Sequence, residues 1–458
     1  MASLDDARAS FIDAACVPRD RSHASGTLER AEAILAEHPD IATQDIHTAA
    51  ILGDDAAVHR FLKLDPASAT AKSGPRGWDA LTHLCFSRYL RIDRARSEGF
   101  VRAATALLDA GASPNTGWLE NDHQPRPEWE SALYGAAGVA HHAGLTRLLL
   151  ERGGDPNDEE TPYHAPETYD NAAMMILVES GKLNADNLTT LLLRKTDWHD
   201  YEGIKWLLER GIDPNRTTRW GKTALHNAVL SDNDIKIIEV LLDHGADPTL
   251  VATRPDRWST ASPGRSAIGM AARRGRRDVL ALLEQRGIPI ELDGLDRLSA
   301  ACALGDGAVI SSITAREPRL VTDLLAEGGK LLAEFAGVGN TEGVGQLLDL
   351  GVDVNARYEG DGYFDVARNS TALHVAAWRG RHSTVKLLLE RGSEVNARDG
   401  NGRTPLALAV RACVDSFWSE RRSPESVDAL LNAGASARHI PLPSGYAEVD
   451  ELLRAHNK

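Results

Sequence analysis

The sequence predicts an all-α repeat solenoid of helix–turn–helix units joined by extended loops, and two observations support this prediction. The first is the segment 370–396, which consists of a short apolar run, a glycine, a second amphipathic run and a closing glycine. The second is that the opening of this segment returns at residues 402–410. Self-similarity of this kind is typical of repeat architectures, in which each unit buries its apolar face against its neighbours.

Each element of this best-preserved unit has a local cause. Thr371 precedes the first apolar run and is a suitable N-cap, because its hydroxyl can accept a hydrogen bond from the first helical turn. Gly380 breaks that helix, and a second helix is predicted over residues 383–391. Gly392 then ends the second helix, since glycine readily adopts the left-handed conformation found at helix C-termini.

A turn of the type Gly-x-Asp-x-Asn ends the successive units along the chain. Glycine supplies the left-handed cap, and Asn or Asp tolerates the tight turn that follows. The spacing of these turns indicates about twelve units once insertions and degenerate ends are counted. The turns begin at Gly111, Gly153, Gly181, Gly211, Gly245, Gly287, Gly351, Gly392 and Gly434.

The openings of the two clearest units resemble the ankyrin repeat. That family has units of about 33 residues with the opening T-P-L-H-x-A, which is matched here by TALHVA at residues 371–376 and by TPLALA at residues 404–409. The resemblance implies an ankyrin-repeat solenoid that binds through its concave face, formed by the finger loops and the first helices. It also implies that His226 and His374 are structural, each bonding the Thr of its own unit and backbone of the next.

The chain is expected to divide into two capping segments and two consecutive repeat blocks. Terminal units present a polar outer face, because nothing stacks on them. The division between the blocks depends on the stretch 49–56, followed by Pro66, which reappears 252 residues later as 301–308, followed by Pro318. The alternative to two blocks is that these two stretches diverged independently and are similar by chance. The segments are 1–43, the N-terminal cap; 44–290, the first block; 291–438, the second block; and 439–458, the C-terminal capping helix.

Composition restricts the classes of partner. At 458 residues the chain exceeds the roughly 250–300 residues at which single cores stop growing, which favours repetition. The formal charge of -15 argues against a nucleic-acid or anionic-membrane partner. The four cysteines show no CxxC spacing, and neither a signal peptide nor an apolar run of about 18 residues is found. We therefore expect a cytoplasmic protein with no metal, no cofactor, no nucleic acid and no membrane partner.

Long insertions distinguish this array from a regular one. Residues 88–99 and 413–424 lengthen the turns between the helices of their units, and three others lengthen the fingers, at 116–129, 250–264 and 356–369. Long irregular loops are usually functional or disordered, and the aromatic residues in these loops favour function.

Aromatic and arginine residues on the predicted concave face are the candidate partner contacts, since such side chains dominate binding hot spots. The leading hypothesis is an intracellular scaffold that binds a protein or peptide partner through its concave face and long fingers. The alternative for the aromatic residues is that neighbouring fingers pack on each other. The candidates are Trp78, Trp118, Trp129, Trp198, Trp220, Trp258, Arg273, Arg274, Trp378 and Arg379.

Two adjacent irregular units suggest an alternative function. Pro166 should cut the helix around His164 short, and the next unit departs from the repeat at residues 197–201. These units contain residue types that suit general acid–base chemistry, so that an enzyme or small-molecule-binding groove is the competing hypothesis; solvated polar turns are the simpler explanation. Whether the chain is an enzyme is left open. The candidate catalytic residues are His164, Glu167, Tyr169, Asp197, His199 and Asp200.

A row of arginines over residues 265–277 stands out against the acidic background, with Arg257 in the preceding finger. Arginine binds carboxylate and phosphate groups through paired hydrogen bonds, which suggests an anion or acidic-peptide site. A solvated basic face that balances neighbouring acids is the alternative.

Overall fold

A computed structural model describes residues 4–17, 26–121, 126–253, 264–416 and 418–456. The predicted contact Trp258 lies outside these ranges. The chain divides into two compact units, Met1–Thr218 and Arg219–Lys458. The boundary near residue 290 therefore falls inside the second unit, and it stays a prediction about the repeat pattern.

The first unit is a stack of helical pairs, as predicted. Within a pair, one helix is buried along its whole length, as α3 is, whereas the other buries only one face, as α4 does with Ala57 and Val58. The buried helices pack against one another, α3 against α5, and the outer ones likewise, α4 against α7. The helices are α1 (Leu4–Ala15), α2 (Glu29–Glu37), α3 (Ile46–Leu52), α4 (Asp55–Leu64), α5 (Ala80–Cys85), α6 (Arg88–Ile92), α7 (Ser97–Asp109), α8 (Ala132–Tyr134), α9 (Ala143–Glu151), α10 (Glu160–His164), α11 (Ala172–Glu179), α12 (Ala185–Asp197) and α13 (Tyr201–Glu209).

The finger predicted at 116–129 contains an antiparallel hairpin. Its strands are β1 (Gly117–Glu120) and β2 (Glu128–Ser131), and their register pairs Gly117 with Ser131 and Glu120 with Glu128. The finger is therefore a short, hydrogen-bonded ribbon, and successive side chains along each strand point to opposite faces of it.

The second unit repeats the same helical pairs with one irregularity. Its inner helices α14 and α23 are fully buried. Helix α16 packs against both α18 and α21, although four helices lie between α16 and α21 in the chain. The Asn340 side chain donates to the carbonyls of Gly275 and Ala303, and so ties the turns of these repeats together. The helices are α14 (Ala224–Leu230), α15 (Ile235–Asp243), α16 (Ala267–Arg274), α17 (Arg277–Gln285), α18 (Gly294–Leu304), α19 (Gly307–Arg316), α20 (Arg319–Ala326), α21 (Gly328–Val338), α22 (Thr341–Asp349), α23 (Ala372–Trp378), α24 (His382–Glu390), α25 (Pro405–Val414), α26 (Glu425–Asn432) and α27 (Ala447–His456).

The two related stretches 49–56 and 301–308 adopt the same local structure. In each, a left-handed glycine ends the first helix, Gly53 with φ of 65° and Gly305 with φ of 76°. The aspartate that follows then caps the next helix, since Asp54 and Asp306 each accept a hydrogen bond from the backbone N–H three residues later.

The motif histidines have the structural role that the resemblance implied. His374 Nδ1 lies 2.9 Å from the Thr371 hydroxyl, and its Nε2 lies 3.1 Å from the Ala397 carbonyl. His226 makes the same contact with Thr223 at 2.7 Å. Burial lowers the pKa of His374 to about 4, so the ring is neutral at physiological pH.

The finger at 356–369 folds back onto the inner helices and covers them. Tyr358, Phe364 and Val366 of this finger join a buried cluster that includes Trp378 and Trp418. The Trp378 indole N–H donates to the Phe364 carbonyl at 2.7 Å, and the Trp418 indole N–H donates to the Trp378 carbonyl at 2.8 Å. Trp378 is consequently only 2 % exposed. The expectation that Trp378 presents an open surface therefore needs correction, because the finger occupies that surface.

None of the helices in the described ranges combines the length and apolar character needed to cross a membrane.

We expect Trp378→Ala to lower the free energy of unfolding by about 3–5 kcal/mol, because it removes a buried indole and leaves a cavity beneath the finger. Denaturant unfolding of the full chain would measure this loss. Leu64, which is 82 % exposed, provides the control, and Leu64→Ala should change stability little. An unfolding curve unchanged by Trp378→Ala would contradict this packing.

Candidate functional site

The hairpin β1–β2 presents two apolar side chains side by side on its outer face. Leu119 and Trp129 are directly opposite each other in the register, and they are 49 % and 44 % exposed. Trp118 and Glu130 form the neighbouring pair and point to the other face, because side chains alternate along a strand. Of the predicted contacts on this finger, Trp129 thus faces outward and Trp118 faces the repeats.

An aromatic stack supports the inner face of the hairpin. The Trp118 ring lies 5.2 Å from the buried Trp78, centroid to centroid, and both contact Phe86. Thr116, at the start of the finger, accepts a hydrogen bond from Ala132 N–H at 2.8 Å, which closes the base of the ribbon. The predicted residues Trp78 and Trp118 therefore hold the hairpin in place.

A second aromatic pair lies on the surface of the same unit. Tyr169 is 68 % exposed and meets the half-buried Trp198 edge-on, with ring centroids 5.7 Å apart. In the second unit, Trp220 is also half-buried, and the Arg219 guanidinium lies over its ring at 4.8 Å. Partner binding by these residues stays a prediction.

The irregular centre of the first unit contains a buried ionic network. Helix α10 ends at His164, as Pro166 predicts. His164 lies between two carboxylates, with Nε2 at 3.1 Å from Glu160 and Nδ1 at 2.9 Å from Glu167. Arg194 on α12 pairs with Glu167 and with Asp197. Three of the six candidate catalytic residues are thus brought together, each bound to an opposite charge.

Electrostatics fix the charge states in this network. Burial alone would lower the pKa of His164, but the hydrogen bonds and charges of Glu160 and Glu167 outweigh it and raise that pKa. Burial would raise the pKa of Glu167, but His164 and Arg194 outweigh it and lower that pKa to about 2. The Glu167 carboxylate is therefore held ionised, and the His164 imidazole is held protonated to higher pH than usual.

The remaining candidate catalytic residues have different surroundings. The Asp200 carboxylate lies 2.7 Å from Nζ of the fully buried Lys195, and it also caps α13 by accepting from Gly203 N–H. His199 occupies a left-handed turn position with φ of 52° and is exposed, as is Tyr169. The six residues therefore do not form one constellation, and the arrangement stabilises two irregular repeats.

Sequence reasoning missed three charged residues of this region, one acidic and two basic. Glu160, Arg194 and Lys195 complete the pairs, yet none was a candidate residue. A signal was available for one of them, because Arg194 and Asp197 are three residues apart on a helix and so share a face.

Most arginines of the row at residues 265–277 form ion pairs within the second unit. Arg273 pairs with Asp296 at 2.6 Å and with Glu327 at 3.1 Å. Arg274 is buried between Asp232 and Glu334, at 3.2 and 2.7 Å. The row is therefore not an open basic face.

Arg379 reaches the same carboxylate from a distant repeat. Its Nη2 lies 2.8 Å from Asp232, and its guanidinium stacks on the Phe364 ring at 3.9 Å. Burial would raise the pKa of Asp232, but Arg274, Arg379 and Arg276 outweigh it and hold that pKa well below its usual range. Arg274 and Arg379 are consequently interior residues in this structure, whereas the sequence placed them on an accessible concave face.

Three segments of the chain match the family model described as ankyrin repeats, residues 133–252, 195–293 and 330–439, and together they cover more than half of the chain. Curated relatives match over parts of their length. Serine/threonine-protein kinase 12 of Arabidopsis thaliana is 42 % identical over 84 residues, 18 % of this chain and 17 % of the relative. SH3 and multiple ankyrin repeat domains protein 2 of Homo sapiens is 27 % identical over 215 residues, 46 % of this chain and 11 % of the relative.

A third relative, E3 ubiquitin-protein ligase KEG of Arabidopsis thaliana, is 28 % identical over 257 residues, 51 % of this chain and 15 % of the relative. The chain thus spans between 11 % and 17 % of the length of these three relatives. The similarity therefore concerns a small part of each relative.

His164→Gln should destabilise the chain more at pH 5.5 than at pH 9. The pKa of His164 in the folded chain is raised above its ordinary value of 6.5, so its contribution is fully present below about pH 6.5 and is lost as the pH rises through the raised value. Urea unfolding of both proteins at the two pH values measures the difference.

His59→Gln, at an exposed histidine, gives the general cost of losing an imidazole. A cost of His164→Gln that is equal at both pH values, or larger at pH 9, would show that the carboxylates do not hold the ring charged.

Proposed function

Because the chain belongs to the ankyrin-repeat family, we propose that it is a protein-interaction scaffold whose first unit contacts a protein partner through the finger hairpin β1–β2. Ankyrin repeats generally support protein–protein interaction, which gives the coarse function. The observation that carries the finer proposal is the exposed cross-strand pair of Leu119 and Trp129.

The hairpin has the physical properties of a binding anchor. Leu119 and Trp129 form one contiguous apolar surface, since cross-strand partners have Cβ atoms about 5 Å apart. Burying a large apolar side chain contributes about 1.5–3 kcal/mol. The stack of Trp118 on Trp78 already orders the ribbon, so that little conformational freedom remains to be lost when a partner binds.

The charge of the finger favours a particular kind of partner. Residues 116–131 contain four acidic residues and one arginine, within a chain of formal charge -15. Opposite charge around an apolar contact steers association and selects among partners. We therefore expect a protein segment that places an apolar side chain beside lysines or arginines, and an affinity that falls as salt increases.

The enzyme hypothesis has weaker support. Its six candidate residues divide among a buried ionic network, a separate lysine pair and two outward positions. We therefore propose binding as the function.

The double variant Leu119→Ala/Trp129→Ala should lose its partner while keeping its fold. Affinity capture from native lysate with quantitative mass spectrometry identifies proteins retained by the wild type, and titration of the purified partner then measures Kd. Loss of a hot-spot Trp costs about 2 kcal/mol or more, so the double variant should bind about 30-fold more weakly or worse.

Leu64→Ala removes an exposed leucine elsewhere in the same unit and should retain the partner. Thermal unfolding of both variants should match the wild type, because the changed side chains are substantially exposed. A partner that binds the double variant as tightly as it binds Leu64→Ala would refute the hairpin as the contact surface.

A further inference from the structure

The second unit contains a polar cavity of about 620 Å³ where the turns of several repeats meet. Such a volume suits a small organic ligand, since ligand pockets usually measure roughly 300–1,000 Å³. The turns that follow α14, α16 and α21 line the cavity, together with two arginines from later repeats. The basic lining residues are Arg276, Arg277, Arg381 and Arg421.

Arg381 brings a positive charge that the described chain does not neutralise by contact. Its Nε donates to the Gly337 carbonyl at 2.8 Å. Among the residues that the structure describes, no carboxylate lies within 4.0 Å of its guanidinium nitrogens, whereas Arg277 and Arg276 each have one. Burial, followed by the like charges of Arg421 and Arg379, lowers the pKa of Arg381 to about 9.

Two other guanidinium groups of the lining each have a buried nitrogen atom without a hydrogen-bond acceptor in the described part of the chain. Nη1 of Arg276 and Nη1 of Arg421 are both in this state. The rest of Arg276 is well bonded, with Asp278 at 2.8 Å and the Asn233 carbonyl at 2.7 Å. Buried donors are almost always satisfied in folded proteins, so adjacent exceptions call for an acceptor from outside the chain.

The acidic residues of the same lining are already engaged. Asp232 accepts from Arg274 and Arg379, as described above. Asp278 pairs with Arg276, and Glu342 pairs with Arg277. Asp234 caps α15 by accepting from Lys236 N–H at 3.0 Å. These carboxylates therefore leave Arg381 without a contacting carboxylate in the described part of the chain, whereas the Nε of Arg421 pairs with Glu420 at 3.3 Å and its Nη1 has no acceptor there.

Helix geometry adds to the positive potential. Helices α15, α17 and α22 each have nine residues, and their first residues lie at or beside the cavity wall. The N-terminus of a helix carries a partial positive charge and unpaired N–H groups, which favour anions.

We propose that this cavity binds a small phosphate-bearing molecule, with Arg381 and Arg421 as its principal ligands and Arg276 as a third. Guanidinium groups suit phosphate because their planar N–H groups form paired, charge-assisted hydrogen bonds. Convergence of three such groups suits a multiply charged phosphate better than a single carboxylate. This site is separate from the hairpin residues of the proposed function and does not depend on them.

The test uses sodium pyrophosphate as the probe and the full chain in a phosphate-free buffer. Calorimetric titration should show saturable binding, and pyrophosphate should raise Tm. Arg381→Gln and Arg421→Gln should each weaken binding about tenfold or more. Arg319→Gln is the matched control, because it removes the same charge at a site whose side chain is 90 % exposed and should bind as the wild type does.

Stability without the anion separates a ligand-binding role from a structural one. Arg381→Gln should be at least as stable as the wild type in phosphate-free buffer, because it removes a partly buried charge that no carboxylate of the described residues contacts. A large loss of stability in Arg381→Gln would mean that this arginine is structural; Arg421→Gln then tests the site by itself.

Further titrations distinguish the possible sources of the anion. Inorganic phosphate should bind more weakly than pyrophosphate, and acetate should not compete. If sulfate and pyrophosphate act equally and only at high concentration, the cavity binds an adventitious ion only. That result would overturn the proposal. Equal binding of pyrophosphate to Arg381→Gln, Arg421→Gln and Arg319→Gln would also overturn it.

Discussion

The buried carboxylate of Asp232 is the interaction on which much of the second unit depends. Arg379 reaches Asp232 across 147 residues of sequence, and Arg274 reaches it from a neighbouring repeat. An isolated charge in this position would be strongly destabilising, and removing one partner from a buried ion pair costs about 3–5 kcal/mol. The carboxylate and its two arginines are therefore interdependent, and they hold distant repeats in contact.

The packing of the finger at 356–369 follows from this ionic contact. The Arg379 guanidinium lies 3.9 Å from the centre of the Phe364 ring and 4.6 Å from that of Trp418. Arg274, the other partner of Asp232, lies 5.3 Å from Phe364. Arg274 and Arg379, which pair with Asp232, thus also contact the ring of Phe364 in the finger. The ionic and apolar parts of this core therefore stabilise each other.

Local chemistry made much of the fold predictable from the sequence, whereas long-range pairing did not. Neighbouring residues alone determine the end of α10 before Pro166 and the capping by Asp54 and Asp306. The sequence accordingly predicted the helix break at the proline and the recurrence of the repeat units. Trp378 was expected on an open concave face because a regular repeat places it there. An insertion then covered it, and only the apolar character of Tyr358, Phe364 and Val366 signals that outcome.

The two described fingers illustrate how the same kind of insertion produces opposite surfaces. The finger at 356–369 directs Tyr358, Phe364 and Val366 inward and fills the face that it overlies. In the hairpin β1–β2, the register pairs Trp118 with Glu130, so Trp118 and Trp129 must lie on opposite faces. Because Trp118 packs on Trp78, Trp129 is forced outward together with its partner Leu119. The exposed pair is thus a consequence of the way in which the hairpin is anchored.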